Sequence, residues 1–153
     1  MCTPSFSGGK TTVKQPKLCV FNLTRQSFLS FGVTPADTHL ARLKGLLGRM
    51  KLHSEEGIWL APSQGMHTIG MLFPIDVIYL TEDNRVIHLI EHLGPFRITP
   101  IRRRCASILE LPTRSIYASN TQIDDELVIC SPEDLEKYSV QNKTEADHTP
   151  VHL

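Results

Sequence analysis

The stretch from Gln64 to Leu93 constrains the fold more than any other part of the chain. Its second half runs Pro74-Ile75-Asp76-Val77-Ile78-Tyr79-Leu80, then the polar Thr81-Glu82-Asp83-Asn84-Arg85, then Val86-Ile87-His88-Leu89-Ile90-Glu91-His92-Leu93. Two runs rich in β-branched and aromatic residues around a short polar turn spell a β-hairpin. Pro74 limits pairing at the start of the first strand, and Gly94-Pro95 ends the second. Three of the seven histidines, His67, His88 and His92, lie in this stretch. A functional site is expected on it or on what it packs against.

The rest of the chain supplies further strands. Leu18 to Leu23 and Ser27 to Val33 are rich in strand formers, with Arg25-Gln26 as the turn between them. Ile58 to Ala61, Ala106 to Leu111 and Glu126 to Cys130 read the same way. Thr34-Pro35-Ala36-Asp37 reads as a helix start: a capping hydroxyl, a proline at the first helical position and an acid that complements the dipole. Ala36, Leu40, Leu43 and Leu47 then form one apolar stripe, and Gly48 is the stop. Thr113 to Asn120 suits a short helix, and Ser131-Pro132-Glu133-Asp134 one further helical turn. About seven short strands and one clear helix predict an α+β, mainly β fold: a compact antiparallel sheet curled toward a barrel, with an amphipathic α-helix packed on it. Residues 1–16 and 139–153 have little to bury and are expected as disordered arms around a single domain at 17–138.

Composition narrows the function class. A chain of 153 residues suits one domain with a sizeable core. Sixteen basic and sixteen acidic residues give zero net charge, which argues against a dedicated nucleic-acid binder. The polar first sixteen residues contain no apolar h-region, and no apolar run approaches a membrane span. No membrane partner is expected. Cys2, Cys19, Cys105 and Cys130 include no C-x-x-C pair. Cys19 and Cys130 sit inside apolar segments and Cys105 opens one, so they read as small core hydrophobes in a reducing, cytoplasmic setting. Cys2 reads as a flexible terminal thiol.

Several short motifs occur in a telling order. They are Thr38 followed by Gly45-Leu46-Leu47-Gly48-Arg49, then Glu56-Gly57, then His67-Thr68-Ile69-Gly70-Met71 with Pro74-Ile75-Asp76-Val77, and last Ala106 with Leu109-Glu110-Leu111-Pro112. Together they resemble the bacterial "domain of unknown function 192" family, over roughly Leu18 to Ile129. The resemblance implies a small barrel-like β-rich domain with one helix. It implies no catalytic residue, because the family has no established activity. Relatives often carry Asp-Gly in the hairpin turn, where this chain has Asp83-Asn84, and Gly-Asp before the last strand, where it has Asp124-Asp125. Many relatives carry export signals, and none is visible here.

The candidate chemistry centres on the hairpin. His88-Leu89-Ile90-Glu91-His92 matches H-x-x-E-H, an inverted zinc-protease motif. That chemistry needs a helix, and Val86, Ile87 and Ile90 favour a strand. On a strand, residues four apart stand about 13 Å from each other, too far to share one zinc. A turn centred on Asp83-Asn84 sets Leu80 opposite Ile87, Tyr79 opposite His88 and Asp76 opposite Glu91. Facing carboxylates are unfavourable unless a cation such as Arg97 or Arg49, or a shared proton, joins them. A shifted register or a structural ion pair is the commoner outcome. His67, with Thr68 and Asp76, could orient a ligand, though a histidine bonding a loop carbonyl is the plainer reading. Arg102-Arg103-Arg104, with Arg97, could meet phosphate or an acidic partner, but a solvated charged loop is the usual reading of such a run. Ser63, Cys105 and Cys130 show no base-and-orienter pattern.

The sequence therefore carries a complete fold signature and no catalytic one. The leading expectation is a non-catalytic module binding a small molecule or a protein near His67, Asp76 and Arg49, with no cofactor and no metal. The alternative is a small hydrolase or lyase using Asp76 and Glu91 as paired carboxylates with His67. The third, a metal enzyme on His88, Glu91 and His92, is weakest. Ligand identity and oligomeric state are open at this level.

Overall fold

Apolar strands around polar turns build one curled sheet. The computed structural model describes residues 17–37, 46 and 48–146. The strands are β1 (Leu18–Asn22), β2 (Ser27–Ala36), β3 (Glu56–Leu60), β4 (Ile75–Leu80), β5 (Val86–Leu93), β6 (Ser107–Pro112) and β7 (Leu127–Cys130), with helices α1 (Ser115–Ser119) and α2 (Pro132–Ala146). The spatial order is β5-β4-β6-β3-β2-β1-β7. Every neighbouring pair is antiparallel except β2 with β3, which run parallel.

The hairpin strands β4 and β5 occupy the bounds that their residue patterns predict. Tyr79 faces His88, Ile78 faces Leu89 and Val77 faces Ile90, as a turn at Asp83-Asn84 requires. The register breaks at both ends: Leu80 faces Val86 rather than Ile87, and Ile75 faces Leu93. Between Val77 and Ile75, β5 therefore carries one residue more than β4, a β-bulge. His92 holds it, with φ 55, in the left-handed region.

All six residues of β4 are buried, so both faces of the sheet are covered. Ile75, Val77 and Tyr79 join a cluster with Leu46, Met66, Met71 and Phe73 on one face. Ile78 and Leu80 join Val20, Leu109, Ile116, Val86 and Leu127 on the other. Val86 and Leu127 come from the two edge strands, so this second cluster fills the concave side of a sheet curled toward itself. Hydrogen bonds close one end of the curl: Val86 N–H to Asp125 C=O at 2.9 Å, Asp124 N–H to Val86 C=O at 2.8 Å, and Leu127 N–H to Asn84 C=O at 3.0 Å. Asn84 (φ 55) and Asp124 (φ 72) are both left-handed, the conformation that Gly accepts freely and that Asn and Asp tolerate best among the rest.

The structure departs from the expected helix start. Thr34-Pro35-Ala36 does not start a helix; it extends β2, pairing with Ile58, Trp59 and Leu60 of β3. A long-range parallel ladder overrides the local capping signal here. Pro35 is tolerated because the last β1–β2 pair is Leu18 with Val33, so no ladder on that side needs its missing N–H. Most of the helix expected as far as Gly48 lies outside the described residues. Leu46 is helical and buried, and Gly48, with φ 74, has the left-handed geometry of a helix stop.

The helix after β7 is longer than the single turn expected. The Ser131 hydroxyl accepts the Asp134 N–H at 3.2 Å and donates to its carboxylate at 2.8 Å. Lys137 pairs with Asp134 one turn on, and α2 runs to Ala146, through residues expected to lack structure. The expected arms at 1–16 and 147–153 lie outside the described residues.

Two close approaches invite measurement. A Cβ on Gly57 would stand 2.8 Å from Leu111 Cδ2 and 3.0 Å from the Glu110 carbonyl oxygen, because β3 passes tightly between β2 and β6. Gly57→Ala is expected to destabilise the fold by about 1–3 kcal/mol in urea unfolding. Asp125, 2% exposed, accepts from Asn22 Nδ2 at 2.9 Å, Arg25 Nε at 3.0 Å and Gln122 N–H at 2.8 Å. Burial pushes its carboxyl up, but Arg25, Asn22 and the Gln122 N–H together outweigh burial and hold it below the usual aspartate value. A folded value below the unfolded one stabilises above the usual aspartate range, and that contribution is lost as pH falls through the folded value. Stability of the wild type should therefore fall more steeply from about pH 5 to pH 3 than that of Asp125→Asn, with the variant weaker by roughly 1–3 kcal/mol at neutral pH.

Candidate functional site

Two irregular segments cross beside the hairpin and are fastened to each other. The first runs from the cis Ala61-Pro62 bond to Thr68, and the second from Gly94 to Arg103. His67 and Ile98 form an isolated antiparallel bridge. Around it, the Thr68 N–H donates to the Arg97 carbonyl at 2.8 Å, the Thr99 N–H to the Met66 carbonyl at 2.9 Å, and the Arg102 N–H to the Gln64 carbonyl at 2.8 Å. Side chains reinforce the join. The Thr68 hydroxyl donates to the Gly94 carbonyl at 2.7 Å and accepts the Arg97 N–H at 2.9 Å. The Thr99 hydroxyl accepts the Met66 N–H at 3.0 Å and donates to the Met66 carbonyl at 3.1 Å.

Between these segments lies a cleft of about 520 Å³, lined by Pro62, Ser63, Gln64, Gly65, Met66, His67, Ile98, Thr99 and Ile101. Its walls are mainly apolar, with hydroxyl, amide and imidazole groups among them. Ile98 and Ile101 are 75% and 74% exposed. Ile98 is held in the bridge to His67, and the backbone on either side of Ile101 is fastened at Thr99 and Arg102. Phe96, just outside, is 65% exposed and has φ 56, a strained conformation for an aromatic residue. A second cleft of about 570 Å³ shares Pro62, Ser63 and Gln64 and is bordered by Arg103 and Arg104 opposite Glu82 and Asp83.

The sequence-predicted residues go to different places. His67 lines the first cleft, and its Nδ1 accepts the Ile69 N–H at 3.3 Å. Asp76 is fully buried, and each carboxylate oxygen takes one backbone N–H: His92 at 3.0 Å and Ile116 at 3.0 Å. The first is in the β5 bulge and the second in the first turn of α1. Asp76 thus clamps three elements. Arg49 forms an ion pair with Glu56, which also accepts the His53 N–H at 2.9 Å. Burial raises the Glu56 carboxyl, but the His53 N–H and Arg49 outweigh it and hold it below the ordinary value. Neither Asp76 nor Arg49 lines the cleft that His67 lines.

Glu91 is exposed while Asp76 is fully buried with both oxygens engaged, so the two do not form a paired-carboxylate site. The H-x-x-E-H segment is strand β5, as its β-branched content predicts. Among the described residues no three His, Cys, Asp or Glu side chains are grouped to hold a metal. His88 instead packs edge-on to Tyr79, ring centroids 5.5 Å apart. Burial lowers its imidazole, and Arg102 adds to that. Arg102 lies over the Tyr79 ring at 5.4 Å, whereas Arg103 and Arg104 are exposed. Sequence reasoning missed Ile98, Thr99 and Ile101 as site residues. An apolar-polar alternation directly after Gly94-Pro95 was the only signal for them.

The profile of the family described as Uncharacterized ACR (DUF192) matches residues 21–129. A protein of unknown function from Novosphingobium aromaticivorans DSM 12444 is similar in structure, with TM-score 0.60 and 21% identity over 73% of this chain and 83% of that one. A proposed transcription regulator from Sinorhizobium meliloti 1021 is also similar, with TM-score 0.59 and 17% identity over 79% of this chain and 98% of that one. No curated protein sequence matches the chain. None of the described helices is long and apolar enough to cross a membrane.

The Asp76 clamp can be tested directly. Asp76→Asn replaces one acceptor oxygen with an NH2 that cannot accept either backbone N–H. It is expected to cost about 1–3 kcal/mol in denaturant unfolding and to raise hydrogen exchange at the His92 and Ile116 amides.

Proposed function

This chain belongs to the DUF192 family, and from that premise we propose that it is a non-catalytic binding module whose ligand seats in the cleft between residues 62–67 and 98–101. The ligand class is a small molecule with an apolar body and hydrogen-bonding groups. The observation that carries this reading is the pair of three-quarters-exposed isoleucines, Ile98 and Ile101, on a backbone pinned beside Ser63, Gln64, His67 and Thr99. Ordered apolar surface left in water beside a few convergent polar groups is the usual form of a ligand site. The volume also falls within the range of about 300–1,000 Å³ common for such sites.

Within this reading His67 faces the ligand, and Asp76 and Arg49 support it from outside. Asp76 holds the end of β5 from which the Gly94–Arg103 segment departs. Arg49 neutralises Glu56 where β3 begins. The hydrolase or lyase alternative draws no support from a buried Asp76 and an exposed Glu91. A likeness at 17% identity carries the fold and not a regulator's role. We infer a cytoplasmic setting, with which a free buried thiol such as Cys105 agrees.

A thermal-shift screen of small amphipathic compounds tests the reading. A ligand at about a hundred times its dissociation constant adds about 2.7 kcal/mol to the folded state. Ile101→Asp and His67→Ala should each weaken a genuine ligand by about tenfold or more, or about 1.4 kcal/mol, without unfolding the protein. Hits indifferent to both substitutions would place the site elsewhere. Chemical turnover of a hit, lost in folded His67→Ala, would replace the binding module with an enzyme.

A further inference from the structure

We propose that Cys19 and Cys130 are a reversible dithiol, a modification site where the two thiols of adjacent strands are oxidised to an intramolecular disulfide. This goes beyond the binding cleft and does not depend on it. Cys19 of β1 and Cys130 of β7 are direct partners in the antiparallel ladder, and both are free thiols. Directly opposed residues project from the same face of a sheet. Val20 points into the concave cluster, so its neighbour Cys19 points to the convex face, and Cys130 with it. Cys19 is 4% exposed and Cys130 is half-buried, so an oxidant reaches Cys130 first.

The register sets the geometry. The Leu23 N–H donates to the Glu126 carbonyl at 2.9 Å, and hydrogen-bonded pairs recur at every second position along a ladder. Phe21 with Val128, and then Cys19 with Cys130, are the next such positions. There the Cα atoms stand about 5.5 Å apart, inside the range a disulfide accepts. The Cβ atoms of facing residues lie about 4.5–5.5 Å apart, against the roughly 3.5–4.5 Å that the bond needs. A hydrogen-bonded pair sits at the wide end of that range, so closure draws the Cβ atoms together by about 1–2 Å and leaves the bond strained, which makes it easy to reduce.

The step needs a low-molecular-weight disulfide as oxidant, for which oxidised glutathione serves. The Cys130 thiolate attacks one sulfur of that disulfide, forming a mixed disulfide and expelling one thiolate. The Cys19 thiolate then attacks the Cys130 sulfur and expels the second. The two protons lost by the cysteines are taken up by the two leaving thiolates, and two electrons pass from the protein sulfurs to the oxidant. Burial pushes the Cys130 thiol up, and Cys19 and Asp134 push it further; burial also raises Cys19. Few thiolates are present at neutral pH, so the reaction is slow there. Cys105 is a built-in control: it is 3% exposed, its Sγ bonds the Ser107 carbonyl at 3.1 Å, and no cysteine of the described residues faces it.

The full chain carrying Cys2→Ser would be equilibrated in glutathione buffers of rising oxidised fraction, alkylated, and read by intact mass and peptide mapping. The expected result is joint loss of two thiols, with two hydrogens, in a Cys19–Cys130 linked peptide. Cys105 should remain alkylated, and excess reduced glutathione should reverse the change. Either Cys130→Ser or Cys19→Ala, checked for folding by circular dichroism, should abolish the link. Glutathione left on Cys130 with Cys19 still alkylatable would overturn the proposal. So would a link between two molecules, or an equal yield of the internal link in urea-unfolded chain.

Discussion

A buried carboxylate with no charged partner among its hydrogen bonds ties the molecule together. Asp76 sits on β4, next to the edge strand, fully buried, and gives one oxygen to the His92 N–H and the other to the Ile116 N–H. An ionised group in such a place is costly unless its acceptor capacity is used, and backbone N–H donors are effective partners for it. The bond to His92 secures the bulge in β5, and the bond to Ile116 satisfies a donor at the start of α1 that Arg114, the capping residue, leaves without a side-chain partner. One side chain thus fixes where β5 ends, where α1 begins and, through β5, where the segment carrying Ile98 and Ile101 departs.

The sheet was legible wherever local pattern and long-range pairing agreed. β4 and β5 appear with the bounds that their residues predict, because β-branched runs, a polar turn and flanking prolines all point one way. They disagree at Thr34-Pro35-Ala36, where good capping residues lie opposite Ile58, Trp59 and Leu60. A ladder partner more than twenty positions away is invisible to a cap signal. The two departures from the family pattern, Asn84 and Asp124, have a single physical account. Both stand at left-handed positions at the closed end of the curl, and each carries a residue type that tolerates what glycine does freely.

The candidate site was legible only in part. His67 stood out by its neighbours and does line the cleft. The other wall depends on Met66 meeting Thr99 and Gln64 meeting Arg102, contacts between segments more than thirty residues apart. Asp76 and Arg49 drew notice as charged residues near that stretch, but the first binds backbone and the second binds Glu56. A charged residue in an apolar strand signals that something must satisfy it; the sequence does not say whether that is a ligand or the fold.

The bulge at His92 bears on the open edge of the sheet. β5 is an edge of the sheet, and the bonds that close the curl reach no further along it than Val86. An apolar strand such as Ile87 to Ile90, if flat and open, is a template on which a second chain can add a strand and begin a polymer. The left-handed kink at His92 twists the edge, and the exposed Glu91 beside it sets a charge in the path of any incoming strand. The irregularity that spoils the simple hairpin register therefore also leaves that end of the edge a poorer template for a further strand.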